Sequence, residues 1–255
     1  MISTTLIWIL LLYFSMWFVI NTIAKNAGLI DIAWGLGFVL LAITQYFKYQ
    51  SKVGIILVVM VGIWGLRLAI HIAKRNIGKA EDHRYQQFRK DWGKHYFIRS
   101  IFQIYFLQAT LMLIVSLTFL DGIRNGSIVS KLGLVIGLII YSIGLYFEVV
   151  SDFQMTRFKR NHQNKGKLMR EGLWAISRHP NYFGEATLWL GVALVSLSLG
   201  SNGFALVGSA TIYYLIRFLS GVPLMEKRQK EYQEFSEYEK EVPIFFPKLK
   251  GGNKK

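Results

Sequence analysis

The sequence predicts an all-α, polytopic membrane protein with about seven transmembrane helices. Three observations predict it. Apolar runs close to 20 residues long recur along the chain, with charged segments between them. Hydrophobic residues make up 53% of the 255 residues and charged ones only 18%, against the roughly 25% usual in soluble domains. Mean hydropathy is +0.33, which places the chain in the membrane class before any motif is read.

The crossings follow in order. Helix one is expected over about 4–22, helix two over about 28–46 with Asp31 near one end, and helix three over about 53–73. A polar segment at about 74–99 carries Arg75, Glu81, Asp82, Arg84, Arg89 and Lys94. Helix four (about 101–120) and helix five (about 130–151) lead to a second polar segment from Asp152 to Asn181. Helices six and seven, about 183–199 and 203–220, form a tight pair around Gly200, Ser201, Asn202 and Gly203. A polar tail runs from Pro223 to Lys255. Each span can cross about 30 Å of hydrocarbon at about 1.5 Å per residue. The first apolar run, Leu6 to Ile20, has no basic segment before it and no small-residue cleavage site after it, so it reads as a retained helix. With no internal repeat or long linker, 1–255 reads as a single membrane domain.

The formal net charge of +15 sits in the gaps between apolar runs, where anionic membrane lipids and the positive-inside rule place basic residues. Nucleic acid is therefore not the expected partner. Segments 74–99, 157–178 and 227–255 hold most of the Lys and Arg. An outside N-terminus, seven crossings and a cytoplasmic C-terminus bring all three to one side of the cell membrane. Cysteine is absent, which excludes disulfides, thiolate nucleophiles and Cys-ligated metal. His71, His83, His95 and His162 show no paired ligand spacing, so no metal site is expected.

Ionisable groups at membrane depth are expensive and face the interior of a bundle. Asp31 lies just inside helix two. Glu148 and Asp152 are about one turn apart on helix five, and Glu185 opens helix six. Asp31 and Glu185 also suit first turns, where carboxylates meet exposed amides. Glu148 lies near a helix C-terminus, where the dipole offers no such explanation. Arginines from three segments, among them Arg75, Arg84, Arg157, Arg170 and Arg178, would form a polyanion pocket if they converged. Neither a Rossmann nor a P-loop fingerprint is present. The densest cluster of reactive and turn-forming types is His179-Pro180-Asn181-Tyr182-Phe183-Gly184-Glu185.

That cluster, with Gly172-Leu173-Trp174 and Ser177-Arg178 before it, resembles the DUF1295 family of bacterial membrane proteins, related to steroid 5-alpha-reductase. Glu81-Asp82-His83-Arg84-Tyr85, Asp31 with Trp34, Glu148 with Asp152 and Gln154, and the tail motif Val242-Pro243-Ile244-Phe245-Phe246-Pro247 carry the same resemblance. It extends to the wider superfamily of sterol reductases and isoprenylcysteine carboxyl methyltransferases. The resemblance implies a steroid 5-alpha-reductase-like fold, with 1–120 as a lipid-substrate half and 130–247 as a cofactor-binding half.

By that resemblance the cofactor is NADPH in the reductases and S-adenosylmethionine in the methyltransferases. Asn181 would hold the cofactor's amide end with Glu185 beside it. Asp152 resembles an aspartate of the nucleotide pocket, and Arg170 and Arg178 would contact phosphate or ribose. Tyr232 looks like a cofactor-side tyrosine. Glu148 stands where the steroid enzymes have asparagine, and Glu226 where they have histidine. Arg75, His179 and Tyr182 belong to the same matched motifs and complete the expected cofactor set.

The implied activity is NADPH-dependent reduction of a conjugated carbon–carbon double bond in a lipid or steroid-like enone. Asp31 and Glu185 are the candidate catalytic residues. Asp31 lies near where those enzymes carry a glutamate, and as the substrate-side acid it would have to stay protonated near neutrality, which burial favours. Tyr85 is the weaker candidate for that role because it lies in the polar segment. Two other readings stand beside this one: methyl transfer from S-adenosylmethionine, and non-enzymatic lipid transport or binding. The last is disfavoured because no inverted halves or paired broken helices are visible.

Overall fold

Apolar stretches of this length satisfy their backbone groups internally, which is why they cross lipid as helices. A computed structural model describes residues 2–248. Residues 249–255 of the basic tail lie outside the described residues. The described chain forms α1 (Thr4–Ile23), α2 (Ile30–Tyr49), α3 (Ile55–Asn76), α4 (His83–Trp92), α5 (Tyr96–Ser100), α6 (Leu107–Asn125), α7 (Lys131–Arg160), α8 (Pro180–Ser198), α9 (Phe204–Tyr214), α10 (Val222–Gln229) and α11 (Phe235–Glu241). Two π-helical stretches, Ile101–Phe106 and Leu215–Leu219, lead into α6 and follow α9.

Among the described residues, six helical stretches are long and apolar enough to cross a membrane: Thr4–Ile23, Ala27–Tyr49, Ile55–Asn76, His83–Asn125, Lys131–Arg160 and Phe204–Gln229. The protein is an all-α, multi-pass membrane protein. Sequence reading anticipated about seven crossings, and α8 accounts for the difference. At 19 residues it has the length, but its first turns carry Asn181 and Glu185, and these polar turns keep it out of the apolar set. Its later residues Leu188, Trp189, Val192, Ala193 and Val195 are fully buried.

Two further differences follow from local chemistry. The polar segment expected over 74–99 is not a plain connection, because it contains α4 and α5. Asp82 starts α4 by accepting a hydrogen bond from the Arg84 backbone N–H at 2.9 Å, an N-cap that satisfies one orphan donor. Helix α7 continues to Arg160, well beyond its expected end near 151. Arg157, Lys159 and Arg160 fill its last turn, where cations suit the helix dipole.

The chain divides into two compact units. One comprises the described residues up to Lys131 together with Ser196–Gly208, and the other comprises Leu132–Val195 with the described residues from Ser209 onward. In the first unit α2 packs against α1, α3 and α6. Phe38, Leu41, Leu57, Trp64, Met112 and Phe119 are its fully buried core. Lipid tails are as apolar as such a core, so membrane helices associate mainly through close packing. Gly35 and Gly65 supply it: a Cβ on Gly65 would sit 2.6 Å from the Gly35 carbonyl oxygen. This crossing lies one turn from Asp31.

In the second unit α7 and α8 meet along a glycine seam. A Cβ on Gly184 would fall 2.5 Å from the Glu148 nitrogen and 2.6 Å from the Gly144 carbonyl oxygen. The small residues bring the start of α8 directly against Glu148. The segment between α7 and α8 is then laced to the tail: Arg178 N–H donates to the Pro243 carbonyl at 2.9 Å, and Lys248 N–H to the Ile176 carbonyl at 3.0 Å. Leu168, Phe235, Tyr238 and Val242 bury one another beneath this lacing. Trp8, Leu12, Ile23, Leu132 and Phe153 remain exposed, as side chains meant for lipid would.

Candidate functional site

Each unit holds a buried polar cluster. In the first, Asp31 occupies the first turn of α2. Its Oδ2 accepts from Arg84 Nη2 at 3.1 Å, and its Oδ1 accepts from the Tyr85 hydroxyl at 3.1 Å. Arg84 is itself steadied by its Nε–H to Asp82 Oδ1 at 3.1 Å. The N-cap of α4 therefore aims two successive side chains at one carboxylate 53 and 54 positions away. Tyr85 is buried, and its hydroxyl is a donor held by an ion-paired acceptor. The phenol has a single hydrogen and gives it to Asp31, so serving a ligand oxygen requires that hydrogen to turn from Asp31 while the ring stays in place. Arg75, anticipated among the cofactor residues, lies at the exposed end of α3, bonds Asn76 at 3.1 Å and adds to the positive field around Asp31.

In the second unit Arg178, His179 and Glu226 form a buried triad. Glu226 Oε1 and Oε2 accept from Arg178 Nε at 3.0 Å and Nη2 at 2.8 Å. Arg178 Nη1 donates to the Glu239 and Val242 carbonyls at 3.0 and 3.1 Å. Its donors are thus directed to Glu226 and to the tail, and the guanidinium clamps α10 and the segment after α11 onto the start of α8. His179 Nε2 lies 2.6 Å from Glu226 Oε1. Burial pushes the imidazole below its ordinary range, against the pull of the nearby carboxylate. A neutral ring must then donate its Nε2–H to Glu226, leaving Nδ1 as an acceptor. The ring stacks on Tyr182 with centroids 5.9 Å apart.

Below the triad, Tyr238 donates its hydroxyl to the Trp174 carbonyl at 2.6 Å, and burial raises its phenol above the ordinary range. Trp174 Nε1 donates to the Ser151 carbonyl at 3.2 Å, tying this segment to α7 one turn from Glu148. Gln154 accepts from the Leu173 N–H at 3.0 Å. Arg170 pairs with Glu237 and Glu241, both at 2.9 Å, on the exposed side of α11.

A cavity of about 460 Å³ opens in the same unit between the end of α7, the 161–169 segment and α10. Lys159, His162, Lys165, Lys167 and Arg228 line it with Tyr232, and among the described residues no carboxylate does. A neighbouring cavity of about 400 Å³ shares Phe158, Asn161, Asn164 and Met169 with it. Buried Gln229 lines the larger cavity, and its Oε1 has no hydrogen-bond partner among the described residues. Asn181, at the start of α8, has a buried Oδ1 in the same state. Cavities of this size suit small ligands, and a lining with only basic charge selects an anion.

The structure therefore brings Arg178, His179 and Glu226 together with Asn181 and Tyr182 following in α8, and sets Tyr232 at the basic cavity. Glu148 is buried on α7 against Gly184. Asp152 lies one turn further along α7, and Glu185 lies on α8. Asp31 and Arg75 belong to the other unit. Sequence reasoning set Tyr85 aside for its place in a polar segment and passed over Lys159, Lys165, Lys167, Arg228 and Gln229. Of these, only the Asp82 cap followed by Arg84-Tyr85 carried a local signal.

A family model described as "Protein of unknown function (DUF1295)" matches residues 17–242. A steroid 5-alpha-reductase of Arabidopsis thaliana is 33% identical over 79 residues, 31% of this chain and 30% of its own. A probable O-methyltransferase of Ustilaginoidea virens is 34% identical over 92 residues, 36% of this chain and 31% of its own. The human 3-oxo-5-alpha-steroid 4-dehydrogenase 1 is 31% identical over 119 residues, 45% of this chain and 41% of its own. The chain spans well under half the length of each of these relatives. No solved structure gives a significant match.

Proposed function

The chain belongs to the DUF1295 family, distantly related to steroid 5-alpha-reductases, and on that premise we propose that it is an NADPH-dependent membrane reductase. Its substrate would be a lipid or steroid-like enone whose conjugated carbon–carbon double bond is reduced. The observation that carries the reading is the hydrogen bond from buried Tyr85 to ion-paired Asp31. Turned from Asp31 to a bound carbonyl, that hydroxyl would polarise it, and donors aimed at developing charge contribute most to catalysis. In this arrangement Asp31 is paired as a carboxylate, so Tyr85 carries the proton and Asp31 orients it.

The residues of the second unit fit a phosphate-bearing cofactor. The basic cavity matches polyanion chemistry. Asn181 Oδ1, buried without a partner among the described residues, is an acceptor suited to a carboxamide N–H₂. Arg178 and His179 would hold the start of α8 in position, with Tyr182, Glu185, Glu148 and Asp152 around it, Glu226 bracing them and Tyr232 and Arg170 on the tail side. NADPH, when bound, supplies the hydride. The basic segments would face the cytoplasm, with the N-terminus outside.

A second reading, methyl transfer from S-adenosylmethionine, is favoured by the match to the probable O-methyltransferase. One assay separates the two: thermal protection of the detergent-purified chain by NADPH, NADH and S-adenosylmethionine. Protection by NADPH together with substrate-dependent NADPH oxidation on enone lipids supports the reductase. Protection by S-adenosylmethionine alone sinks it.

A further inference from the structure

The first unit contains a second polar cavity, of about 430 Å³, that neither the Asp31 cluster nor the cofactor reading uses. It lies where the end of α1 meets α4, α5 and the π-helical stretch before α6, at the level where apolar helices give way to polar sequence. Asn21, 2% exposed, lines it. Its Nδ2 donates to the Tyr105 hydroxyl at 2.9 Å, while its Oδ1 is buried with no partner among the described residues. Tyr105 accepts that bond and has a hydroxyl hydrogen left to give. One acceptor and one donor thus stand side by side, a pair that a single alcohol group satisfies by donating to Asn21 and accepting from Tyr105.

The remaining wall sets the charge. Glu81 is neutralised by Arg89 Nε at 2.8 Å and Nη2 at 3.1 Å, and it also accepts from the Ala27 N–H at 2.7 Å. Arg89 lies 4.3 Å over the Tyr96 ring, and its Nη1 donors have no hydrogen-bond partner among the described residues. Lys25 adds a second cation at the rim. The lining therefore carries one net positive charge beside a matched alcohol site. A lone water would satisfy the Asn21–Tyr105 pair but fills only about 30 Å³ of this space.

We propose that this cavity binds a phosphate carrying a nearby alcohol, the chemistry of a glycerophosphate, supplied by a phospholipid headgroup such as phosphatidylglycerol. The alcohol bridges Asn21 and Tyr105, and the phosphate is held by Lys25 and Arg89. The site stands independently of the reductase reading.

The full chain would be reconstituted in phosphatidylcholine nanodiscs doped with phosphatidylglycerol or with phosphatidylmethanol, an anion of equal charge whose head lacks the alcohol. Retained lipid is then counted by native mass spectrometry, and free glycerol 3-phosphate is titrated against the unfolding midpoint. Phosphatidylglycerol should be retained about fivefold better than phosphatidylmethanol, the worth of roughly one hydrogen bond. Tyr105→Phe removes one partner of the alcohol and should reduce that preference, and the Asn21→Leu, Tyr105→Phe double variant, which removes both, should erase it. Lys25→Asn should weaken retention of both anions, and because Lys25 has φ +50°, a conformation asparagine tolerates, this variant keeps the fold. Binding of glycerol 3-phosphate without lipid preference supports the chemistry and assigns the source to a soluble polyol phosphate. Equal retention of the two anionic lipids with no glycerol 3-phosphate binding, or a preference that survives the double variant, overturns the proposal.

Discussion

Exchanging Glu226 for glutamine keeps the side chain's size but removes the charge that neutralises Arg178. Arg178 is 4% exposed and Glu226 9%, so the pair is desolvated and its geometry is bidentate, at 3.0 and 2.8 Å. An amide presents N–H₂ to at least one guanidinium donor, and it also weakens the contact from His179 at 2.6 Å. One amide oxygen, the Glu239 and Val242 carbonyls and the half-exposed Glu239 carboxylate would be left to hold the cation. Breaking a buried pair on one side costs about 3–5 kcal/mol. At about 2–4 °C per kcal/mol for a chain of this size, the unfolding midpoint should fall by about 10 °C. The assay is thermal unfolding in one detergent, with Glu239→Gln as control because that carboxylate is half exposed and lies 3.6 Å from Arg178. A Glu226→Leu, Arg178→Met double variant should recover much of the loss, since it leaves no buried charge. A midpoint within 2 °C (about 1 kcal/mol) of wild type for Glu226→Gln would refute the reasoning, as would a double variant less stable than the single one.

Other outcomes follow from the same geometry. Tyr85→Phe should lower kcat on an enone substrate by about 10²-fold or more with little change in KM, because the donor acts where charge develops; a kcat within threefold of wild type would remove Tyr85 from the mechanism. His179 is held below its ordinary value of 6.5. Its neutral form therefore contributes stability that is complete above pH 6.5 and lost as the pH falls through the lower folded value. The midpoint should drop on acidification to pH 5, and His179→Gln should flatten that dependence; equal slopes for both proteins would contradict the assignment. Gly184→Ala would place a methyl 2.5 Å from the Glu148 backbone nitrogen, forcing α7 and α8 apart at a cost of about 1–3 kcal/mol. Gly203→Ala, which meets nothing within 4 Å, is its silent counterpart, and equal midpoints for the two would argue against the seam.

The helical membrane class, the approximate spans and the position of the polar segments were legible in the amino-acid order itself. Crossing lipid is a local demand: about 20 consecutive residues must be apolar wherever they sit in the chain. The motif around His179 was legible too, as a dense run of unusual residue types. Pairings made across the fold were not. Tyr85 meets Asp31 across 54 positions and Arg178 meets Glu226 across 48, and no periodicity encodes such distances. Tyr85 was discounted because its segment reads as polar. Only the Asp82 cap, which starts a helix inside that segment, turns it toward α2.

The same limit explains α8, expected as a helix over about 183–199 but not as one buried by its neighbours, and the basic cavity, whose lysines come from a segment that reads as a solvated charge run. It explains the Asn21–Tyr105 pair, 84 positions apart. Hydrophobic thickness and charge bias act residue by residue, so the order of the chain determined the membrane class and the segments that stay out of lipid. Which polar groups share a cavity depends on close helix crossings at glycines and on caps that aim side chains, and that only the tertiary structure decided.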